Sequence, residues 1–174
     1  QLNGGQIVGL EFIDADVIDD WANKPYDFPP QPIYTFMGLE LFLFRDANFW
    51  PDFPTSAENM MNLYTYGRGV PLDGVIAVDQ QFVALVVGAL GPISLDQYNL
   101  VVTGDNTVES MRQAWEGIEG QSRTEWVYTR KDFIGFLAAA LRNQLENQPG
   151  EVNWPDFLQA MFAAVQEKHL QIYM

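Results

Sequence analysis

The sequence predicts an α/β domain in which helices pack on the faces of a mixed, partly parallel sheet, a layered sandwich. The strongest indication is the segment 72–90, where a short apolar run, an aspartate and a helical apolar pattern follow one another. A strand that leads directly into a helix is half of a β-α-β unit, and such units place their strands in parallel. Two amphipathic helices in the last third of the chain would cover the sheet.

Size and charge exclude several classes of protein. The 174 residues suit one domain with a substantial core, so we interpret 1–174 as a single domain. The net charge of −14 argues against nucleic-acid and anionic-membrane surfaces, which would repel the chain. The absence of cysteine excludes disulfides and thiolate catalysis. No apolar run reaches the roughly 18 residues of a membrane span. Because the chain begins with Gln1, we expect an excised fragment of a longer secreted or membrane-anchored protein.

The first quarter of the chain predicts a hairpin and an acidic turn. Asn3-Gly4 is typical of a hairpin turn, and we expect the first strand of that hairpin to precede the chain. Residues 6–14 predict the second strand. The following aspartates lack the glycine and distal glutamate of a calcium loop, so we interpret them as a solvated turn, with a metal site as the alternative: Asp14, Asp16, Asp19 and Asp20.

The next segments predict a loop and then a helix. Three prolines predict a loop over 21–31, and the apolar run 35–44 favours neither strand nor helix. Residues 55–58 match a capping box and predict a helix that starts there. Gly67 and Gly69 are expected to end that helix.

The second half predicts alternating strands and helices. A strand over 72–78 is followed by Asp79 as the helix N-cap, and Gly91 with Pro92 stops that helix. Residues 99–103 predict a further strand. Asp105 is expected to cap a helix that then runs through residue 115. An amphipathic helix is expected to begin at 129–132, and a terminal strand to cover 170–174. The last helix begins at 153–155, and its apolar face is expected to lie in the core: Trp154, Phe157, Leu158, Met161, Phe162 and Val165.

Familiar catalytic motifs are missing from the sequence. His169 is the only histidine, no nucleophile elbow exists to pair with it, and we interpret it as a structural residue near a helix C-terminus. Neither a Walker phosphate loop nor a dinucleotide-binding glycine motif occurs. The carboxylates lie mostly in turns, where capping explains them.

The loop 44–54 is the best candidate for a binding surface. It sets charged and amide side chains among four aromatics and two prolines, a composition typical of an ordered surface loop. Arginines are scarce, so Arg45 and Arg130 are informative: if they converge, they bind a phosphate or carboxylate. The alternative is internal ion pairing, with Asp46 and Asp132 respectively. The candidate binding residues are Arg45, Asp46, Asn48, Asp52, Arg68 and Arg130.

Several landmarks resemble the bacterial family called domain of unknown function 4012. The resemblance rests on residues 45–57, with Arg45-Asp46 and Asp52, on 73–79, on 89–93, on Arg130-Lys131-Asp132-Phe133 and on 167–171. They run in order over nearly the whole chain. The family members look like large secreted or membrane-anchored bacterial proteins.

The layout is also similar, more distantly, to the LytR-CpsA-Psr enzymes, which transfer polyprenyl-pyrophosphate-linked glycopolymers onto cell walls. That similarity implies that Arg45 and Arg130 bind phosphates and that Asp46 binds Mg²⁺. The chain departs from the pattern, because no proline precedes Arg45 and Lys131 replaces a glutamine.

We therefore expect an extracytoplasmic, cell-envelope-associated binding or structural module without a cofactor, anchored through a segment outside this chain. The envelope ligand would be a glycopolymer or a polyprenyl pyrophosphate. The alternative is an Mg²⁺-dependent phosphotransferase that acts on such glycopolymers. Fold kinship alone does not decide between them.

Overall fold

The structure, a computed structural model, describes residues 2–4, 6–9, 11–116, 122, 126 and 132–174. Two compact units are recognisable: Gln1–Ile76 together with Ile172–Met174, and Ala77–Gln171. The interpretation of 1–174 as a single domain stays a prediction.

The first unit opens with a short hairpin. Strands β1 (Leu2–Asn3) and β2 (Gln6–Ile7) pair antiparallel, and Gly4 turns the chain with a φ of +56°. The predicted turn is confirmed, but its first strand lies within the chain, where we expected it to precede residue 1. The strand predicted over 6–14 was wrong at the described residues beyond Ile7, because residues 8–9 and 11–14 form no strand. The Asp14 side chain accepts the Asp16 N–H at 3.0 Å and starts a 3₁₀ turn, Ala15–Val17, instead of a ladder.

Two helices complete the first unit. Helix α1 (Gln31–Met37) ends at Gly38, which has a φ of +67°. The run 35–44, for which the sequence favoured neither strand nor helix, is therefore helical over residues 35–37. Helix α2 (Phe53–Arg68) ends at Gly69, as predicted, whereas Gly67, which was also expected to end it, lies inside the helix. The capping box at 55–58 was wrong, because the Asp52 carboxylate accepts the Thr55 N–H at 3.0 Å and starts the helix earlier.

The core of the first unit lies under the aromatic loop. Ile33, Phe42 and Ala47 are buried, and partly buried apolar side chains pack against them: Leu39, Trp50, Met60 and Leu63. The Phe42 and Trp50 rings meet edge-on with their centroids 5.5 Å apart. The aromatic side chains of the loop therefore pack it against the core. The loop is ordered, as the sequence predicted.

Strand β3 (Val75–Val78) leads into helix α3 (Gln80–Leu90), the predicted strand–turn–helix. Asp79 caps α3 by accepting the Phe82 N–H at 2.9 Å, and Gly91 follows its last residue. Both end signals read from the sequence are confirmed.

A second hairpin follows α3. Strands β4 (Ile93–Leu95) and β5 (Leu100–Val102) pair antiparallel, with Ile93 opposite Val102. Sequence reasoning predicted β5 and missed β4. Asn99, with a φ of +47°, lies just before β5.

Three helices and a strand complete the chain: α4 (Thr107–Glu116), α5 (Asp132–Asn147), α6 (Trp154–Gln166) and β6 (Leu170–Tyr173), which pairs with β3. The turn before α4 is held by Asn106, whose Oδ1 accepts the Thr103 N–H at 2.8 Å, while Asp105 is exposed. The start predicted for α5, at 129–131, lies outside the described residues.

The core of the second unit joins α5 to the β4–β5 hairpin. Buried residues from α3, the hairpin and α5 form one cluster: Val87, Ile93, Leu95, Val102, Phe133 and Leu137. A second cluster joins α3 to Val152 and takes in Phe157 and Met161 of α6.

The apolar face of α6 was only partly predicted. Phe157 and Met161 pack in the core, whereas Trp154, Leu158, Phe162 and Val165 are exposed. The apolar face of α6 is wider than the strip that its neighbours cover.

Helices with small sheets make the chain mixed α/β, which agrees with the predicted class. Among the described residues, the pairs β1–β2 and β4–β5 are antiparallel. A parallel pair and a layered sandwich remain predictions.

Candidate functional site

A backbone-to-carboxylate contact brings two turns of the first unit together. Asp19 follows the turn Ala15–Val17, and its Oδ2 accepts the N–H of Phe44 at 2.9 Å. Phe44 begins a second 3₁₀ turn, Phe44–Asp46, which holds Arg45 and Asp46 of the predicted site. The side chains of Asp16, Asp19, Arg45 and Asp46 are thereby gathered in one region, which we call the acidic cluster.

Arg45 is shared between two carboxylates of this acidic cluster. Its Nη1 lies 3.2 Å from Asp16 Oδ1, and its Nε lies 3.8 Å from Asp46 Oδ2. The Arg45 side chain remains 45% exposed. The ion pairing with Asp46 weighed in the sequence is thus present, although the closer contact is with Asp16.

Asp19 and Asp46 each bury an oxygen. Asp19 Oδ1 and Asp46 Oδ2 are inaccessible to solvent and accept no hydrogen bond from the described residues. Burial raises the pKa of Asp19 above its ordinary value, and the neighbouring charge of Asp46 adds to this. The Phe44 N–H, the Tyr26 hydroxyl and Arg45 lower the same pKa without cancelling the rise.

An open cleft borders the acidic cluster. Its volume is about 460 Å³, and it combines Asp16, Asp19 and Arg45 with an exposed indole, Trp21, and an apolar wall. The remaining lining residues are Gly38, Leu39, Glu40, Leu41 and Leu43. This volume lies within the range of small-molecule sites.

The other predicted site residues lie elsewhere. Asn48 is exposed in the aromatic loop, and Asp52 serves as the N-cap of α2. Arg68 occupies the last turn of α2, where a cation interacts favourably with the helix dipole. These three residues do not line the cleft. Arg130 lies outside the described residues.

A second groove was not predicted from the sequence. Its volume is about 560 Å³, and its walls carry Tyr26, Asn59, Asn62 and Tyr66. The Tyr66 ring meets Tyr26 edge-on and lies under the Lys24 ammonium, 5.4 Å from the ring centroid. A signal for this groove existed, because residues 59, 62 and 66 fall on one face of a helix.

His169 lies between two carboxylates in the second unit. Its Nδ1 is 2.7 Å from Asp79 Oδ2, and its Nε2 is 3.3 Å from Glu167 Oε2. The Asp79 N–H donates to the His169 carbonyl at 3.2 Å. These contacts tie the start of α3 to the segment before β6, in keeping with a structural role for His169.

The pKa of Asp79 lies below its ordinary value. Partial burial raises this pKa. Hydrogen bonds from the Phe82 N–H and the His169 ring, together with the charge on His169, lower it by more than burial raises it. The ionised carboxylate is therefore the form that this junction stabilises.

The described residues contain neither a metal centre of three or more ligands nor a membrane-spanning helix. Within the described ranges, no group of three or more histidines and carboxylates has the geometry of a metal centre. None of the helices in the described part of the chain is long and apolar enough to cross a membrane.

Fold and cleft together define a mixed α/β domain with an acidic, arginine-bearing cleft. Residues 1–115 match the family described as "Protein of unknown function (DUF4012)", and the chain belongs to that family. The resemblance read from the sequence is confirmed. No curated protein and no solved structure matches the chain.

Proposed function

We propose that this chain is an extracytoplasmic binding module of the bacterial cell envelope that contacts its ligand at the Arg45 cleft. The observation that carries the proposal is the meeting of Trp21, Arg45 and Asp16 in one open cleft. A ring of an envelope glycopolymer stacks on the indole, and an anionic group of the polymer or of a polyprenyl pyrophosphate pairs with the guanidinium.

The ion pair at the cleft can exchange partners at small cost. Arg45 and Asp16 are 45% and 46% exposed, and such surface pairs contribute about 0–1 kcal/mol. An incoming phosphate or carboxylate therefore displaces Asp16 without losing much stability. The bidentate geometry of a guanidinium favours such oxyanions over neutral groups.

The composition supports the location that we propose. A chain without cysteine is suited to an oxidising compartment. Its net charge of −14 disfavours cytoplasmic nucleic acid as a ligand. The anchor would lie in a segment outside this chain.

Co-sedimentation with purified bacterial envelope fragments tests the proposal. We expect the wild-type chain to sediment, and Trp21→Ala and Arg45→Ala to lose most of that retention. Arg142→Ala is the matched control, because Arg142 is a surface arginine of α5 paired to Glu146 at 2.8 Å. Equal retention of all four proteins would contradict the proposal.

A second candidate is an Mg²⁺-dependent phosphotransferase that moves polyprenyl-pyrophosphate-linked glycopolymers. The buried carboxylate of Asp46 beside Arg45 favours it, because a metal ligand and a phosphate ligand would then be neighbours. The test is thermal unfolding with Mg²⁺ and a soluble prenyl pyrophosphate. A ligand at 100 times its dissociation constant adds about 2.7 kcal/mol of stability. A shift that needs both ligands and is lost in Arg45→Ala supports the enzyme, and no response to prenyl pyrophosphate contradicts it.

A further inference from the structure

The second groove of the first unit has no part in the function proposed above. We call it the tyrosine groove, and the lining residues that matter here are Tyr26, Asp27, Asn59, Asn62 and Tyr66. Its volume of about 560 Å³ lies within the range of small-molecule sites. It shares no lining residue with the Arg45 cleft. A ligand of the tyrosine groove would therefore occupy a second site on the same unit.

Both tyrosine rings of the groove are held in position through their hydroxyl groups. The Tyr26 hydroxyl accepts the Asp20 N–H at 2.8 Å, and the Tyr66 hydroxyl donates to the Pro25 carbonyl at 2.7 Å. The two rings meet edge-on with their centroids 5.2 Å apart, and Tyr66 remains 42% exposed. A ligand therefore meets aromatic surface that is already ordered, so that binding costs little side-chain entropy.

Polar side chains beside these rings keep hydrogen-bonding capacity for a ligand. Asn59 and Asn62 lie about one turn apart on α2, on the helix face that also carries Tyr66. Asn59 donates one amide hydrogen to the Thr55 carbonyl at 2.8 Å. The side chains of Asn62 and Asp27 are exposed and make no hydrogen bond to any described residue. The groove therefore offers one complete amide, part of another and a carboxylate.

The charges of the groove disfavour an anionic ligand. Among the described residues that line it, Asp27 alone is charged. The ammonium of Lys24 lies nearby, but it is already engaged, because it donates to the Tyr66 carbonyl at 2.7 Å and to the Gly67 carbonyl at 3.3 Å. A phosphate or carboxylate therefore meets a negative charge here, in contrast to the Arg45 cleft. The ligand that fits is neutral or cationic.

We propose that the tyrosine groove binds a neutral sugar unit of a glycan. A sugar ring has apolar C–H faces that pack on aromatic rings, and its hydroxyl groups both donate and accept hydrogen bonds. The Asn62 amide donates to one hydroxyl and accepts from another, and the Asp27 carboxylate accepts from hydroxyls alone. The aromatic, amide and carboxylate groups of the groove are thus all used by a single kind of ligand.

An organic cation is the competing ligand. It would use the aromatic rings and the charge of Asp27. An ammonium group, however, brings no acceptor for the amide hydrogens of Asn59 and Asn62. Its attraction to Asp27 is also screened by salt, whereas the packing and hydrogen bonds of a neutral sugar are not. Salt dependence therefore separates the two ligands.

Sugar binding in the tyrosine groove does not rest on the proposed envelope binding at the Arg45 cleft. A purified neutral oligosaccharide carries no anionic group with which Arg45 could pair. Envelope retention is tested at Trp21 and Arg45, and oligosaccharide binding is tested at Asn62, a residue of the groove alone. Failure of one inference is therefore visible independently of the other.

The experiment is a calorimetric titration of the whole chain with neutral tetrasaccharides of glucose, of mannose, of galactose and of N-acetylglucosamine. Each titration is made at about 10 and about 150 mM NaCl, and tetramethylammonium chloride serves as the cationic probe. We expect at least one tetrasaccharide to bind at one site per chain, with a dissociation constant that changes less than about two-fold with salt. Failure of all four to bind, or binding of tetramethylammonium alone, overturns the proposal.

Matched variants assign the binding to the groove. Asn62→Leu keeps the size of an exposed helical side chain but removes its amide, so we expect it to fold as the wild type does and to bind the sugar about ten-fold more weakly. Asn143→Leu makes the same exchange at an exposed position of α5 and is expected to bind as the wild type does. An unchanged dissociation constant in Asn62→Leu overturns the proposal, and so does an equal loss in Asn143→Leu.

Discussion

At the scale of single residues, Asp79 shows how one carboxylate stabilises a junction. Its Oδ1 accepts the Phe82 N–H at the start of α3, and its Oδ2 meets the His169 ring. We expect Asp79→Ala to lower the free energy of unfolding by about 1 kcal/mol, the usual loss for a helix N-cap. Urea unfolding measures this loss. Asp79→Asn should retain most of the stability, and a loss as large as that of alanine would exclude capping as the cause.

The same carboxylate predicts an acid limit to stability. The pKa of Asp79 is lower in the folded chain than its ordinary value of 3.8. A depressed carboxylate contributes stability above its unfolded pKa and loses it as the pH falls through the folded pKa. We expect unfolding midpoints to fall below pH 3.8, and Asp79→Asn to reduce that slope. An unchanged slope would place the acid sensitivity in other carboxylates.

Asp19 is expected to change the stability with pH in the direction opposite to that of Asp79. Its pKa is raised, so the folded chain holds the proton more tightly than the unfolded chain does. Stability contributed by this group therefore grows as the pH falls through the raised pKa. In a buffer with a chelator and no divalent cation, we expect Asp19→Asn to raise Tm at neutral pH, because its amide oxygen still accepts the Phe44 N–H. Asp20→Asn is the neighbouring control, and a fall in Tm of Asp19→Asn alone would contradict this account.

At the scale of elements, replacing each of two helical glycines by alanine is expected to change the stability in opposite directions. A Cβ at Gly67 of α2 would lie 2.3 Å from the carbonyl oxygen of Ile18, whereas a Cβ at Gly135 of α5 meets nothing within 4 Å. We expect Gly67→Ala to destabilise by about 1–3 kcal/mol through overpacking. Gly135→Ala should stabilise by about 0.5–1 kcal/mol through helix propensity. Urea unfolding of the two variants measures both, and equal signs would contradict the close approach.

Sequence signals for elements succeeded where the chemistry was local. The stop at Gly91 and the cap at Asp79 depend on neighbours within a few residues, and both are confirmed. The capping box at 55–58 failed because the Asp52 carboxylate accepts both the Thr55 N–H and the Thr55 hydroxyl. Asp52 as an N-cap and the capping box at 55–58 are both valid local signals, and the sequence does not show which of the two starts the helix.

At the scale of the whole molecule, net charge should govern the response to salt. With 23 acidic and 9 basic residues, self-repulsion weakens the folded state more than a few surface ion pairs support it. Between about 10 and 150 mM salt the Debye length shrinks from about 30 to about 8 Å. We therefore expect Tm to rise by a few degrees over this range, measured in NaCl and KCl alike. A fall in Tm would mean that local pairs such as Arg112 with Glu109 dominate instead.

The fold class was more predictable than the site. Periodicity and caps identified α3, α5 and α6 with most of their bounds, because those patterns are written within each element. The acidic cluster was not predictable as a unit, since Asp19 and Phe44 meet across 25 residues of chain. Arg45 and Asp46 were found by their loop composition, but Asp19 was interpreted as part of a solvated turn. Its burial depends on tertiary packing, which no local pattern records.

The packing of α5 has a consequence for where this protein can be divided. The family match ends at residue 115, whereas Phe133 and Leu137 of α5 fill the centre of the second unit against the β4–β5 hairpin. A polypeptide shortened to the match would expose that hairpin and α3 to water, at about 1.5–3 kcal/mol for each large side chain uncovered. We therefore expect a fragment that ends at residue 115 to lose the fold of the second unit, because it lacks the α5 side chains that fill the core of that unit.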